Sequence, residues 1–214
     1  MGYNLIMENK LGLGISPDTV TYLFIGESEG EMGTSPWYKY DFENDRQIAL
    51  SEDALTGYLT SLVVVRKTFK DKTNYKLNIH ISADHKYVIR TGVGTTFSRG
   101  LILSLKKLVE TASPEVFSQP ITLSVKRGSE DSKTAFCSIF HNSEKVFPDW
   151  DGEISLAPLI AELQKALGQV VQTREMMDDP DLYYKATVAA KAEAKTQTQK
   201  KPSTKTGGKR NGKT

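Results

Sequence analysis

Ten lysines and arginines fall between Gly57 and Val109, at Arg66, Lys67, Lys70, Lys72, Lys76, Lys86, Arg90, Arg99, Lys106 and Lys107, against two acids, Asp71 and Asp84. A net charge of +8 over so short a run suits a polyanion, because guanidinium and ammonium groups on one strip neutralise successive phosphates and release their counterions. The rest of the chain divides sharply. Residues 1–57 and 110–184 each carry −7 and residues 185–214 carry +8, so the overall +2 hides two strongly basic segments between acidic ones. A solvated surface is the competing use of such charge. The ten-to-two ratio and the acidic flanks favour binding confined to the strip.

Catalytic chemistry has thinner support. His80, His85 and His141 are far apart in sequence, and no HxH, HExxH or CxxC spacing joins them to other ligands. The single cysteine, Cys137, forbids an intrachain disulfide; mid-strand beside Phe136, it reads as an inert buried thiol rather than a nucleophile. Gly92-Val93-Gly94 opens a helix as phosphate loops do, but lacks both the Walker lysine and the GxGxxG spacing. A nucleic-acid phosphate at that helix start, with Thr95 or Thr96 as donors, is the use it leaves. Asp149, Asp151 and Glu153 read as a polar loop. No enzyme, metal or cofactor is expected.

The elements that must position the basic strip are legible from periodicity. Tyr58 to Phe69 reads as a strand too long to stay straight, so a bend or bulge is expected. Across Asn74 to Ser82, Tyr75, Leu77, Ile79 and Ile81 point one way, and Asn74, Lys76, Asn78, His80 and Ser82 the other. In the next strand Tyr87, Ile89 and Thr91 face inward, and Lys86, Val88 and Arg90 outward. A helix follows, capped by Thr95 or Thr96, with Phe97, Leu101, Leu105 and Leu108 as its stripe and Ser113-Pro114 as its end. Two strands, Ile121–Lys126 and Ala135–His141, flank a polar turn at 127–133, and an amphipathic helix spans about 158–171, free to dock on the sheet or on a partner.

Before this block, residues 1–19 read as an irregular arm, Thr19–Gly26 as a strand, 27–35 as an acidic loop, and Trp37–Phe42 as a second strand paired with the first. After it come an acidic knot at 178–184 and a tail from Lys185 too poor in large apolar side chains to fold. The start makes a poor signal peptide, and no run of about 18 apolar residues occurs. The expected setting is a soluble protein of a reducing compartment.

The order of three strands, one helix and two strands is that of an OB-fold. The segment GYLTSLVVVRKTFKDKTNYKLNIHI followed by KYVIRTGVGTTFSRGLILSL resembles the OB-fold single-stranded DNA-binding proteins of phages and mobile elements, over about residues 57–141. The resemblance implies an α+β, mainly β chain with an OB-like five-stranded barrel at 57–177 carrying a C-terminal helix, added strands within 1–56, and the acidic knot and basic tail at 178–214. It implies sequence-tolerant binding of single-stranded DNA, with replication or recombination proteins as further partners, in the cytoplasm of a prokaryotic or phage-infected cell. The tail departs from the acidic ends of the well-known bacterial members.

The expected binding residues are Arg66, Lys67, Lys70 and Lys72 on the hairpin and Lys76, His80, Lys86 and Arg90 on the outward strand faces. Single strands also need aromatic faces under their bases. With Tyr75 and Tyr87 inward, the candidates are Tyr58 and Phe69, which a regular strand places on opposite faces, and Trp37, Tyr38 or Tyr40; core packing competes for each. Two other readings use the same features. An adaptor would bind a protein through the 158–171 helix, and an RNA or duplex-DNA binder would use the same charges.

Overall fold

The computed structural model describes residues 20–30, 33–69, 72–129, 132–150, 153–171 and 183–185. In chain order these form β1 (Val20–Gly30), β2 (Gly33–Asp41), β3 (Arg46–Ala49), β4 (Ala54–Phe69), β5 (Lys72–Ser82), β6 (Lys86–Gly92), α1 (Thr96–Ala112) and a 3-10 turn (Pro114–Ser118). There follow β7 (Ile121–Arg127), β8 (Ala135–His141), β9 (Glu144–Val146), β10 (Glu153–Ser155), α2 (Leu156–Ala166) and β11 (Tyr183–Lys185). The chain is α+β and mainly β, as expected. The arm at 1–19, the hairpin tip at 70–71, most of the acidic knot and the tail beyond Lys185 lie outside the described residues. No helix among the described residues is long and apolar enough to cross a membrane.

Strand β4 organises the sheet because it changes partner along its length. Ala54 to Gly57 pair with β7, and Tyr58 to Phe69 pair with β5. The switch needs a glycine: a Cβ on Gly57 would lie 2.6 Å from both Ile81 Cγ2 and the Ser82 carbonyl oxygen. The expected irregularity follows at once, as a register shift between Leu59 and Ser61 that leaves Thr60 as the extra residue.

The main sheet runs β3-β2-β1-β6-β5-β4-β7-β8-β9. Every neighbouring pair is antiparallel except β1 with β6. The five strands expected of a barrel are adjacent as β6-β5-β4-β7-β8, but the barrel does not close. Closure would require β6 to pair with β8, the two ends of that run; β6 pairs with β1 instead, and β8 with β9. The sheet still curls. Glu27, in the second half of β1, reaches Arg127 at the end of β7, 3.6 Å away, and Lys133 Nζ at 3.7 Å.

Two stretches of strand depart from the sequence pattern. Of the loop expected at 27–35, the described residues are strand: β1 and β2 continue through Ser28 and Ser35, which pair and are buried. Strand β9, absent from the sequence pattern, is made by a two-residue turn in which Asn142 and Ser143 both adopt positive φ (51° and 67°), the geometry a tight hairpin demands.

The helices close the core from one side. Thr95 caps α1, its hydroxyl accepting from the Ser98 amide at 3.2 Å. Phe97, Leu101, Leu105 and Leu108 are all buried, as their spacing predicts. Helix α1 lies close on β8, where a Cβ at Gly100 would sit 3.2 Å from the Cys137 carbonyl oxygen; burial there pushes the Cys137 thiol pKa up. Helix α2 ends at Ala166, short of the expected 171. Gly168 at φ 69° lets its own amide reach the Lys165 carbonyl and that of Gln169 reach Gln164, a Schellman stop. Leu156, Ala157, Ile160 and Leu163 belong to the shared core, so the apolar face of α2 is used within the chain.

Candidate nucleic-acid interface

Residues directly opposite in a ladder project to the same face, so the registers fix what shares a surface. On the helix side, one transverse row reads Leu23, Ile89, Ile79 and Leu62 across β1, β6, β5 and β4. Leu77, Ile79, Ile81 and Ile89, all on this side, are at most 1% exposed. Each buried aliphatic side chain of this kind contributes about 1.5–3 kcal/mol.

The opposite face reads differently. Its central row is Tyr38, Phe24, Arg90, Asn78 and Val63, from β2 to β4. The row on one side is Tyr22, Val88, His80 and Ser61, followed by Val20, Lys86, Ser82 and Tyr58. On the other side come Gly92, Lys76 and Val65, then Asn74 and Lys67. Strands β4, β5 and β6 contain six basic residues and no Asp or Glu. Asp84, in the β5–β6 turn, has its Oδ2 3.1 Å from His85 Nδ1.

This outer face gathers most of the expected binding residues. Lys67, Lys76, His80, Lys86, Arg90 and Tyr58 all share it. Arg66 does not: it pairs with Tyr75 on the helix side, at the exposed far end of β4. Lys72 and Phe69 pair at the ladder ends, with both side chains outside the described set, and Lys70 lies outside the described residues. The regular alternation behind the expectation that Tyr58 and Phe69 sit on opposite faces is broken by the bulge. The extra Thr60 shifts the alternation by one, so Tyr58 shares a face with Lys67, their partners Ser82 and Asn74 falling on the same face of β5.

The aromatic shortfall is met from a distance. Strand β1 lies parallel to β6 and brings Tyr22 and Phe24 onto the basic face. Phe24 stacks on Tyr38 with ring centroids 5.5 Å apart and planes 18° from parallel. Tyr22 is 39% exposed and lies under the Arg90 guanidinium, 5.2 Å from the ring centroid. Arg90 is held there by Asn78, whose Oδ1 accepts from Nε at 3.0 Å, leaving the two terminal nitrogens to point elsewhere. The result is a preformed unit of ring, cation and amide. His80, beside it on β5, is half-buried, and burial holds its imidazole below the usual pKa.

Sequence reasoning does not single out Tyr22 and Phe24. Their alternation with Leu23 and Ile25 is readable, but the pairing of β1 with a strand more than sixty residues away is not. Of the other aromatic candidates, Tyr38 is on this face. Trp37 is not: it is 2% exposed and donates from Nε1 to the Glu52 carbonyl at 2.6 Å, a core position. Tyr40 donates its hydroxyl to Asp45, which raises its pKa.

The histidines go to three different places. His85 bonds Thr21 Oγ1 at 3.0 Å and packs on Tyr87, His141 bonds Gln119 at 2.9 Å, and His80 lies on the outer face. At the start of α1, the Thr95 hydroxyl expected as a phosphate donor is bonded within the turn. Thr95 Oγ1 and Ser98 Oγ both donate to the Gly92 carbonyl, at 2.9 and 2.7 Å.

Comparison of the chain with family models, with curated proteins and with solved structures returns no match.

Proposed function

We propose that this chain binds single-stranded DNA, without sequence preference, on the outer face of β1, β6, β5 and β4, in DNA replication or recombination. The observation that carries this reading is the coincidence on one face of Lys67, Lys76, Lys86 and Arg90 with Tyr22, Phe24 and Tyr38, in strands β4 to β6 that hold no carboxylate. Cations neutralise the backbone while ring and guanidinium planes stack on unpaired bases, which every base offers and a duplex hides. The Arg90 guanidinium, backed by Tyr22 and oriented by Asn78, supplies one such plane. We read β6-β5-β4-β7-β8 with α1 as an OB-like unit whose closure is replaced by insertion of β1, and that insertion supplies the aromatic half of the surface. The role is binding rather than catalysis, and the basic tail adds generic attraction to polyanions.

The test is fluorescence anisotropy of labelled oligo-dT and a matched duplex across a salt series, with the full chain and a truncation after Tyr184. Salt-sensitive preference for the single strand that survives truncation is the expected result. Equal affinity for both polymers, or binding that disappears with the tail, would refute the assignment to the sheet.

A further inference from the structure

The edge of β4 beyond its junction with β7 is an unfinished ladder. Because β7 pairs only with Ala54 to Gly57, the backbone groups of later residues that face away from β5 have lost their strand partner. At Leu62 two side chains replace it. Gln169 Oε1 accepts from the Leu62 amide at 2.9 Å, and Gln164 Nε2 donates to the Leu62 carbonyl at 2.9 Å, while Gln169 Nε2 also donates to Ser61 Oγ at 2.7 Å. The Schellman stop of α2 is what brings both glutamines to this one residue.

Antiparallel pairs alternate between bonded and non-bonded, so Leu62 facing outward means that Val64, Arg66 and Thr68 face outward too. Among the described residues nothing answers their amides and carbonyls. We infer that this edge, from Val64 to Thr68, is a docking site for an extended acidic peptide from a partner protein, added to the sheet as a strand beside β4.

Two observations select that occupant. The edge alternates donors with acceptors. Phosphodiesters carry no donor for the outward carbonyls, whereas a peptide strand supplies both groups, as the carboxamides at Leu62 already do. The flanking charge is basic: Arg66 and Lys67 are exposed, and no acid occurs in β4 or β5. That charge opposes pairing of two copies of β4, since a symmetric ladder would bring Arg66 and Lys67 of both chains together, and it attracts a strand rich in Asp or Glu. The inference is independent of nucleic-acid binding.

The test uses the full chain and a fluorescein-labelled, end-capped peptide of alternating glutamate and valine, followed by anisotropy and by amide hydrogen exchange. Saturable binding is expected, with slowed exchange at the outward amides of Val64, Arg66 and Thr68 and little change at Val63 and Val65, which already bond β5. Arg66→Pro removes one outward N–H and should weaken the peptide roughly tenfold, whereas Arg66→Gln, which keeps it, should cost less. Absence of saturable binding, equal peptide affinity in Arg66→Pro, or the same exchange pattern produced by oligo-dT would overturn the proposal. The wild-type exchange pattern decides even if the proline variant does not fold.

Discussion

The two faces of the β6-β5-β4 sheet are made by the same strands and do opposite work. Leu77, Ile79 and Ile81 alternate with Lys76, Asn78 and His80 along β5, and Ile89 alternates with Val88 and Arg90 along β6. The inner set is completed by α1 and by the core residues of α2. The outer set is completed by β1 and β2, which contribute the rings of Tyr22, Phe24 and Tyr38. Local alternation therefore sorts charge from grease, but which long-range neighbour arrives decides what each face can be used for. Stability and binding should then respond to different substitutions two residues or fewer apart.

The largest expected separation is on the inner side. Ile79→Ala should lower stability by about 2–5 kcal/mol, read by urea unfolding, with unchanged affinity for oligo-dT in the fraction that stays folded. On the outer side, reversing Lys76, Lys86 and Arg90 to Glu should reduce the slope of log affinity against log salt by about two, one for each phosphate that Lys76 and Lys86 no longer neutralise, and remove the Arg90 stacking plane as well, while the unfolding midpoint moves little. Tyr22→Ala should cost about 1–3 kcal/mol of single-strand binding with the salt slope preserved, because it removes stacking and not charge. A reduced salt slope in Tyr22→Ala would mean that the ring acts only by positioning Arg90.

The smallest effect is a pH dependence. Burial lowers the His80 pKa, so the unfolded chain takes up the proton first. Stability should fall as pH drops below about 6.5, the unfolded value, toward the lower folded one, and recover as pH rises. His80→Gln should flatten that part of the stability–pH curve. An unchanged curve would show that His80 has water on its outer side throughout.

How much of this is legible in the sequence follows the distance over which each feature is determined. The alternation in β5 and β6, the α1 stripe and its Thr95 cap are set within a few residues, and the structure keeps all of them. The bend in β4 follows from its length, but its consequence does not: one extra residue at Thr60 reverses the face of everything before it, which puts Tyr58 on the side of Lys67 and Lys76. Features set by remote partners leave no local trace. The insertion of β1 beside β6 replaces the expected closure with β8 and carries Tyr22 and Phe24 to the basic face. Nothing in the stretch Val20 to Ile25 distinguishes that neighbour from any other. Leu167 and Val170 continue the spacing of α2 and so extend it too far on paper, whereas Gly168 at positive φ terminates it and leaves Val170 85% exposed.

The most direct test of the central claim is photo-crosslinking of the full chain to an oligo-dT carrying 5-iodouracil, followed by mass spectrometry of the crosslinked peptides. Iodouracil reacts with aromatic rings it stacks on, so it reports where bases lie rather than where phosphates are attracted. Crosslinks are expected at Tyr22, Phe24 or Tyr38, and should disappear in the Lys76, Lys86 and Arg90 charge-reversal variant. Crosslinks confined to Phe147 and Trp150 beyond β9, or to residues 185–214, would contradict binding on the sheet.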